Sequence, residues 1–202
     1  MRAGWTLALL AAWLGAAPAW ASDYQCPLSP AAPVRGGDAC ASGGGGFTAP
    51  RKRNNGSRVP HKALDLDAKQ GSDVFAIHDA TVATAKESGA IGKVVILDHG
   101  DGDYSVYGHL RDLAVSAGDT VKAGDKVGEV GYTGNAKCLK ENKLIAHLHF
   151  STFRTGKTGL ATGTTPLREI ATTGEGAIHP KEMMGGSSCW TEKKKKAPEK
   201  KK

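Results

Sequence analysis

Between residues 71 and 130 the chain breaks into short runs: 73–77, 81–85, 93–98, 104–110, 119–121 and 126–130. Runs this short cannot carry the apolar stripe of a packed helix, but each can set alternate side chains on opposite faces of a sheet. Glycine and aspartate punctuate them, at His99-Gly100-Asp101-Gly102-Asp103, Gly118-Asp119 and Gly124-Asp125. The pattern predicts an all-β fold: a mostly antiparallel sheet or sandwich with irregular loops and little helix. Ala117-Gly118-Asp119 and Ala123-Gly124-Asp125 repeat a turn, not a domain. With 202 residues, 40% of them hydrophobic, the chain can build one sizeable core plus appendages.

Two further runs carry the chemistry. Ile145-Ala146-His147-Leu148-His149-Phe150 alternates with period two. On a strand, His147 and His149 share one face, and Leu148 and Phe150 take the other. Upstream stands His61-Lys62-Ala63-Leu64-Asp65-Leu66-Asp67, which also reads as a strand; Pro60 disfavours helix at Val59. His61 and Asp65 share a face whether the segment is strand or helix. Taken singly, these are solvated histidines and a surface ion pair. Taken together, His61, Asp65 and His149 are a His/carboxylate donor set of the kind that holds zinc and leaves a fourth position for water. Two histidines and one carboxylate also suit non-haem iron, so donor types alone leave the metal open. The helical H-E-x-x-H motif is absent.

The ends read differently from the body. Arg2, an apolar run over residues 5–17 and Ala19-Trp20-Ala21 have the form of a secretory signal, residues 1–21, cleaved before Ser22. No later segment is long and apolar enough to span a membrane. Residues 22–46 are rich in Ala, Pro and Gly and close on Gly43-Gly44-Gly45-Gly46, which predicts a loose, flexible N-terminal segment. The folded domain is expected over 47–192. Residues 193–202 carry seven lysines against Glu199 and read as a disordered lysine-rich tail. That tail and Arg2 account for the net charge of +7, so the body is near neutral. Arg51-Lys52-Arg53 is a short basic run without interleaved aromatics. It is read as a solvated loop, and no nucleic-acid partner is expected. Cys26, Cys40, Cys138 and Cys189 suit disulfides in an exported chain. Four cysteines allow three pairings, of which the local one, Cys26 with Cys40 and Cys138 with Cys189, is preferred. His78 and His179 match no motif and are read as structural, and His99 as part of a turn.

The order of these motifs resembles that of the lysostaphin-like (LytM-type) zinc endopeptidases of bacterial cell walls. His61-Lys62-Ala63-Leu64-Asp65 is similar to their H-x-G-x-D, with Ala63 where glycine is usual. Tyr107-Gly108-His109-Leu110 is similar to Y-x-H-L, and residues 118–124 to a G-D-x-V-x-x-G turn. Gly131-Tyr132-Thr133-Gly134 matches G-x-T-G, and His147-Leu148-His149-Phe150 is H-L-H-F. The resemblance runs from about Phe47 to Phe153. It implies one Zn²⁺ on His61, Asp65 and His149, with His109 and His147 as catalytic histidines beside it. It implies hydrolysis of peptide bonds in peptidoglycan, at a stem-peptide cross-link or a bridge peptide, by a metal-activated water. The corresponding localisation is the periplasm or the cell wall. The alternative on the same fold is a catalytically latent wall-binding module or a regulator of another wall hydrolase. Two features depart from the pattern: a longer polar insertion over 136–143 that holds Cys138, and the lysine tail, which suits anionic envelope polymers.

Overall fold

The computed structural model describes residues 24–36, 44–52, 56–155, 176–186 and 188–191. The expected leader (1–21), the tail (193–202) and the segment 156–175 lie outside these residues. The strands are β1 (Ala32–Pro33), β2 (Pro50–Lys52), β3 (Arg58–Pro60), β4 (Leu64–Asp67), β5 (Asp73–Phe75), β6 (Ala80–Ser88), β7 (Gly92–Asp98), β8 (Asp103–Leu113), β9 (Thr120–Val121) and β10 (Lys126–Val130). After the short helix α1 (Lys137–Glu141) come β11 (His147–Arg154), β12 (Ala177–Ile178), a second short helix α2 (Pro180–Met183) and β13 (Trp190–Thr191). The expectation of an all-β, mostly antiparallel fold is borne out.

One sheet organises the molecule. Its strands lie in the order β12-β11-β8-β7-β6-β9, with β4 beside β11 and β10 beside both β8 and β5. Every pairing within it is antiparallel. The alternation seen in the sequence sorts the side chains. On β7, Val95 and Leu97 enter the main core, while Val94 and Ile96 join a smaller cluster with Tyr104 and Val106. On β11, Leu148 and Phe150 are fully buried in the main core. The opposite parity of the same strand presents His147 and His149. In register, His147 faces Asp67 and His149 faces Asp65 across the β11–β4 ladder, while His149 also faces Gly108 of β8. Two histidines spaced by one residue thus meet a carboxylate strand on one side and the Tyr107-Gly108-His109 strand on the other.

Three expectations are corrected. First, residues 24–36, expected as part of a loose segment, pack into the core. Leu28, Ala32 and Val34 are buried, and single bridges tie Leu28 to Val74 and Val34 to Leu66. The segment lacks apolar periodicity because it docks by isolated bridges rather than as a full strand. Second, the preferred local disulfides are not formed. Cys26 joins Cys189 across 163 residues. The reason is topological: β1 pairs in parallel with β13, Ala32 opposite Trp190, which brings both ends of the domain together. Cys138 is disulfide-bonded as well. Third, Arg51 is not in a solvated loop. It sits on a β2–β3 hairpin in which Arg51 pairs with Val59 and Pro50 with Pro60. The polar insertion expected over 136–143 proves to hold helix α1, with Leu139 as its buried anchor.

Candidate metal centre

Asp65 lies at the middle of the site, on β4. Its backbone is held from outside the sheet: Arg35 N donates to Asp65 O (2.8 Å) and Asp65 N donates to Gly45 O (2.8 Å). Gly45 cannot be replaced without moving something, since a Cβ there would lie 2.9 Å from the Cβ of Asp65 and 2.8 Å from that of Arg35. His61 is tied in the same manner, with His61 N donating to Ala49 O (2.8 Å) and Thr48 N donating to His61 O (2.7 Å). The stretch expected to be a flexible joint therefore frames the two ligand-type residues.

The side chains converge. His61 Nε2, Asp65 Oδ1 and His149 Nδ1 stand 3.4, 3.4 and 3.1 Å apart pairwise. A tetrahedral zinc ion with ligand atoms about 2.0–2.1 Å away needs edges of about 3.3–3.4 Å, so the triangle fits such an ion without rearrangement. His61 directs its other nitrogen, Nδ1, at Gly46 O (3.3 Å). A carbonyl only accepts, so Nδ1 is the nitrogen suited to keep a proton when Nε2 gives its lone pair to a metal. Burial pushes the Asp65 carboxyl up. Hydrogen bonds from His149 and His61, with the neighbouring imidazole charges, outweigh it and hold the group well below the usual carboxylate range. Burial pulls the His149 imidazole down. An ionised carboxylate beside an imidazole whose charged form is disfavoured, as in His149, suits a divalent cation.

Two more imidazoles flank the triangle. His109 and His147 lie edge to face with centroids 4.9 Å apart, and His109 is 5.7 Å from the His149 ring. His109 donates from Nδ1 to Thr133 O (3.0 Å), so its Nε2 is the basic atom. Its backbone is unusual, with φ of 61° inside a strand. The cause is a bulge: Tyr107 to Leu110 on β8 spans only Val95 to Lys93 on β7. The extra residue turns the strand locally and re-aims the His109 ring. His147 Nε2 lies 3.6 Å from Asp65 Oδ1. Burial is the largest influence on both rings. It lowers His109 to about 3, with the His147 and His149 charges adding, and His147 to about 4, against the opposing charge of Asp65. Both are neutral, and so able to accept a proton, at neutral pH.

The structure thus gathers all five residues singled out in the sequence: His61, Asp65, His109, His147 and His149. Beside the group, Asp67 pairs with Arg35 (Nε to Oδ1, 2.8 Å), both buried. The remaining histidines make other contacts, and the His78 ring lies 5.0 Å from the Tyr24 ring, centre to centre. His99 bonds Asp79 O and Ser105 Oγ, and His179 caps α2 by accepting from Lys181 N. Sequence reading missed two arginines. Arg35 also donates to Ile145 O, at the end of the insertion. Arg51 contacts Asp65 Oδ2 and approaches both ring nitrogens of His61 at 3.3 Å. The available signal was the alternation through Arg51 and Lys52 toward a turn at Asn54-Asn55-Gly56, which marks a hairpin rather than a loop.

This fold and donor set define a class. A family model, peptidase family M23, matches residues 59–161, just over half of the sequence. The chain belongs to that family. Among its relatives, it is 38% identical over 73 residues to the murein hydrolase activator EnvC of Escherichia coli, covering 36% of this chain and 17% of that protein. It is 29% identical over 106 residues to the peptidoglycan DD-endopeptidase ShyB of Vibrio cholerae, covering 52% of this chain and 23% of that protein. The chain thus spans about a fifth of the length of each. A crystal structure of a putative M23 peptidase from Pseudomonas aeruginosa shares the fold, with TM-score 0.52 and 20% identity over 82% of this chain and 52% of that one. Among the described residues, no helix is long and apolar enough to cross a membrane.

Proposed function

We propose that the chain is an exported zinc endopeptidase that hydrolyses peptide bonds in peptidoglycan. The observation that carries this reading is the convergence of a metal-sized donor triangle, His61, Asp65 and His149, with two neutral imidazoles, His109 and His147, that the triangle does not use. A zinc ion held by the three donors would polarise a scissile carbonyl and acidify a water at neutral pH. The chain's own groups do the rest. His109, fixed by Thr133, and His147, in register with Asp67 and with Nε2 3.6 Å from Asp65 Oδ1, are the groups placed to take the water's proton and return it to the leaving amine. Once it has taken that proton, either ring also offers an N–H to the developing oxyanion. The buried setting of both rings strengthens those interactions by excluding water. The similarity to a protein named as a peptidoglycan DD-endopeptidase supports peptidoglycan as the substrate and a cross-link as the bond.

The second reading, a regulator of another wall hydrolase, is favoured by the similarity to a protein named as a murein hydrolase activator. The complete donor set speaks for the enzyme, because a regulator needs no metal ligands. Mass spectrometry of cross-linked muropeptides after incubation with residues 22–202 tests the two. New fragments that vanish in His149→Ala support hydrolysis and identify the bond. Intact muropeptides with zinc-loaded protein would leave the regulator.

A further inference from the structure

Arg51 lies outside the stretch that the family model matches, residues 59–161, yet its guanidinium ends in the metal centre. The two oxygens of Asp65 have divided partners. Oδ1 faces three imidazoles, at 3.1 Å from His149, 3.4 Å from His61 and 3.6 Å from His147. Oδ2 is taken by Arg51 Nη2. Asp65 is 4% exposed and Arg51 19%, so this contact is largely removed from solvent. The hairpin delivers the arginine. Arg51 stands opposite Val59 on β3, two residues before His61, so the chain that supplies the first histidine also carries the strand that fixes Arg51. The donor triangle keeps its metal-sized edges with the guanidinium in place: Nη2 engages Oδ2 and stands 3.3 Å from His61 Nε2.

We infer that Arg51 is a positioning residue for the metal: by engaging Oδ2, it makes Asp65 a one-oxygen ligand and keeps the site four-coordinate. The inference rests on the metal-centre reading above. A carboxylate free at both oxygens can swing to chelate a divalent ion through both, which raises the coordination number and fills the position a water needs. A planar, permanently charged guanidinium is suited to prevent this. Its Nη2 holds Oδ2 turned toward the guanidinium and away from the triangle. Lysine in its place would keep a charge but not the planar group.

Cobalt(II) reports coordination number through its visible absorption, intense for four ligands and weak for five or six. The test loads metal-free protein and its variants Arg51→Ala, Arg51→Gln and Arg51→Lys with cobalt, and measures zinc affinity by competition with a chromophoric chelator. Circular dichroism and thermal melting report whether each variant is folded. The expected result is an intense spectrum for the parent chain and a clearly weaker one for Arg51→Ala and Arg51→Gln. Zinc affinity in those two should fall by about 10–100-fold, the usual effect of removing a group that orients a ligand. Arg51→Lys should retain the fold and recover only part of the intensity. Folded variants with the parent spectrum and affinity would overturn the role of Arg51. Tighter zinc binding in Arg51→Ala would overturn it too, showing a cation that competes with the metal. A parent chain that binds neither cobalt nor zinc would overturn the metal centre itself, an outcome distinct from the other two.

Discussion

Two clusters of histidine and hydroxyl or carboxylate groups hang from the same sheet, and they are built to opposite rules. At one, His99 donates from Nδ1 to Asp79 O (3.0 Å), and its Nε2 meets Ser105 Oγ at 2.8 Å. Ser105 lies 3.1 Å from the Tyr107 hydroxyl, which in turn accepts from Ile77 N (3.1 Å). The ring and the two hydroxyls are taken up by one another, and the run ends on backbone at both sides. Nothing is left to offer a ligand. At the other, His61 and His109 each anchor one nitrogen on a backbone carbonyl and keep the second for a shared centre. A serine beside a histidine thus signals no nucleophile here, because Ser105 is fully buried and its hydrogen bonds are closed. The difference between a structural and a chemical histidine is whether its second nitrogen has been spent.

The contrast can be broken most sharply at His149. His149→Ala removes a corner of the donor triangle, so zinc content by elemental analysis and muropeptide cleavage should both fall to background. Retained zinc would show that the triangle is not the metal's seat. The next largest effect belongs to His109→Ala. This variant should keep its zinc, because His109 is not one of the three donors, while turnover drops by about 10²–10⁴-fold, the range for losing a general acid–base group. Unchanged turnover would remove His109 from the chemistry and leave His147.

At the closed cluster the effects move to stability. Ser105→Ala leaves His99 without its partner and should cost about 1–3 kcal/mol in urea unfolding with cleavage intact; lost cleavage in a folded variant would make the cluster functional. The pH response has a definite sign. Burial lowers His99 to about 4, against about 6.5 in an unfolded chain. Between those values the unfolded chain binds the extra proton, so stability is present above pH 6.5 and is lost as pH falls toward 4. His109 and His147 shift in the same direction. Melting temperatures of metal-free protein should decline from pH 7 to pH 4.5, with a shallower slope in His99→Gln. A slope unchanged by that substitution would place the pH dependence elsewhere. The smallest effect is expected from deleting residues 193–202. If the seven lysines bind anionic envelope polymers, retention on isolated envelopes falls at low salt and the difference disappears as salt screens it. Equal retention at all salt concentrations would mark the tail as a solubilising end.

What could be read from the sequence followed from periodicity. Leu148 and Phe150 inward with His147 and His149 outward needs only the two-residue repeat of a strand, and the Gly-Asp turns separate the strands well enough to name most of them. The donor set was legible because its residue types suit a divalent metal and the order of the motifs resembles one family. The frame was not. Arg35, Gly45 and Arg51 gain their meaning from contacts to residues 10 to 110 positions away, and no local pattern encodes those pairings. Glycine in a run of four reads as a joint, yet Gly45 serves to let two backbones approach. The disulfides failed for the same reason: proximity in sequence was used where proximity in the sheet decides.

The bond between Cys26 and Cys189 sets an order on how the molecule comes into being. A polypeptide emerges from the ribosome with its first residues leading, so Cys26, β1 and the strap that holds Asp65 are made before almost everything they dock against. Their clasp arrives only with residues 189–191, where the second cysteine and the parallel strand β13 are encoded. Once closed, the link removes about 5 kcal/mol of chain entropy from the unfolded ensemble by loop-length arithmetic for a separation of this size. The frame around the donor triangle is therefore synthesised well before the residues that clasp it.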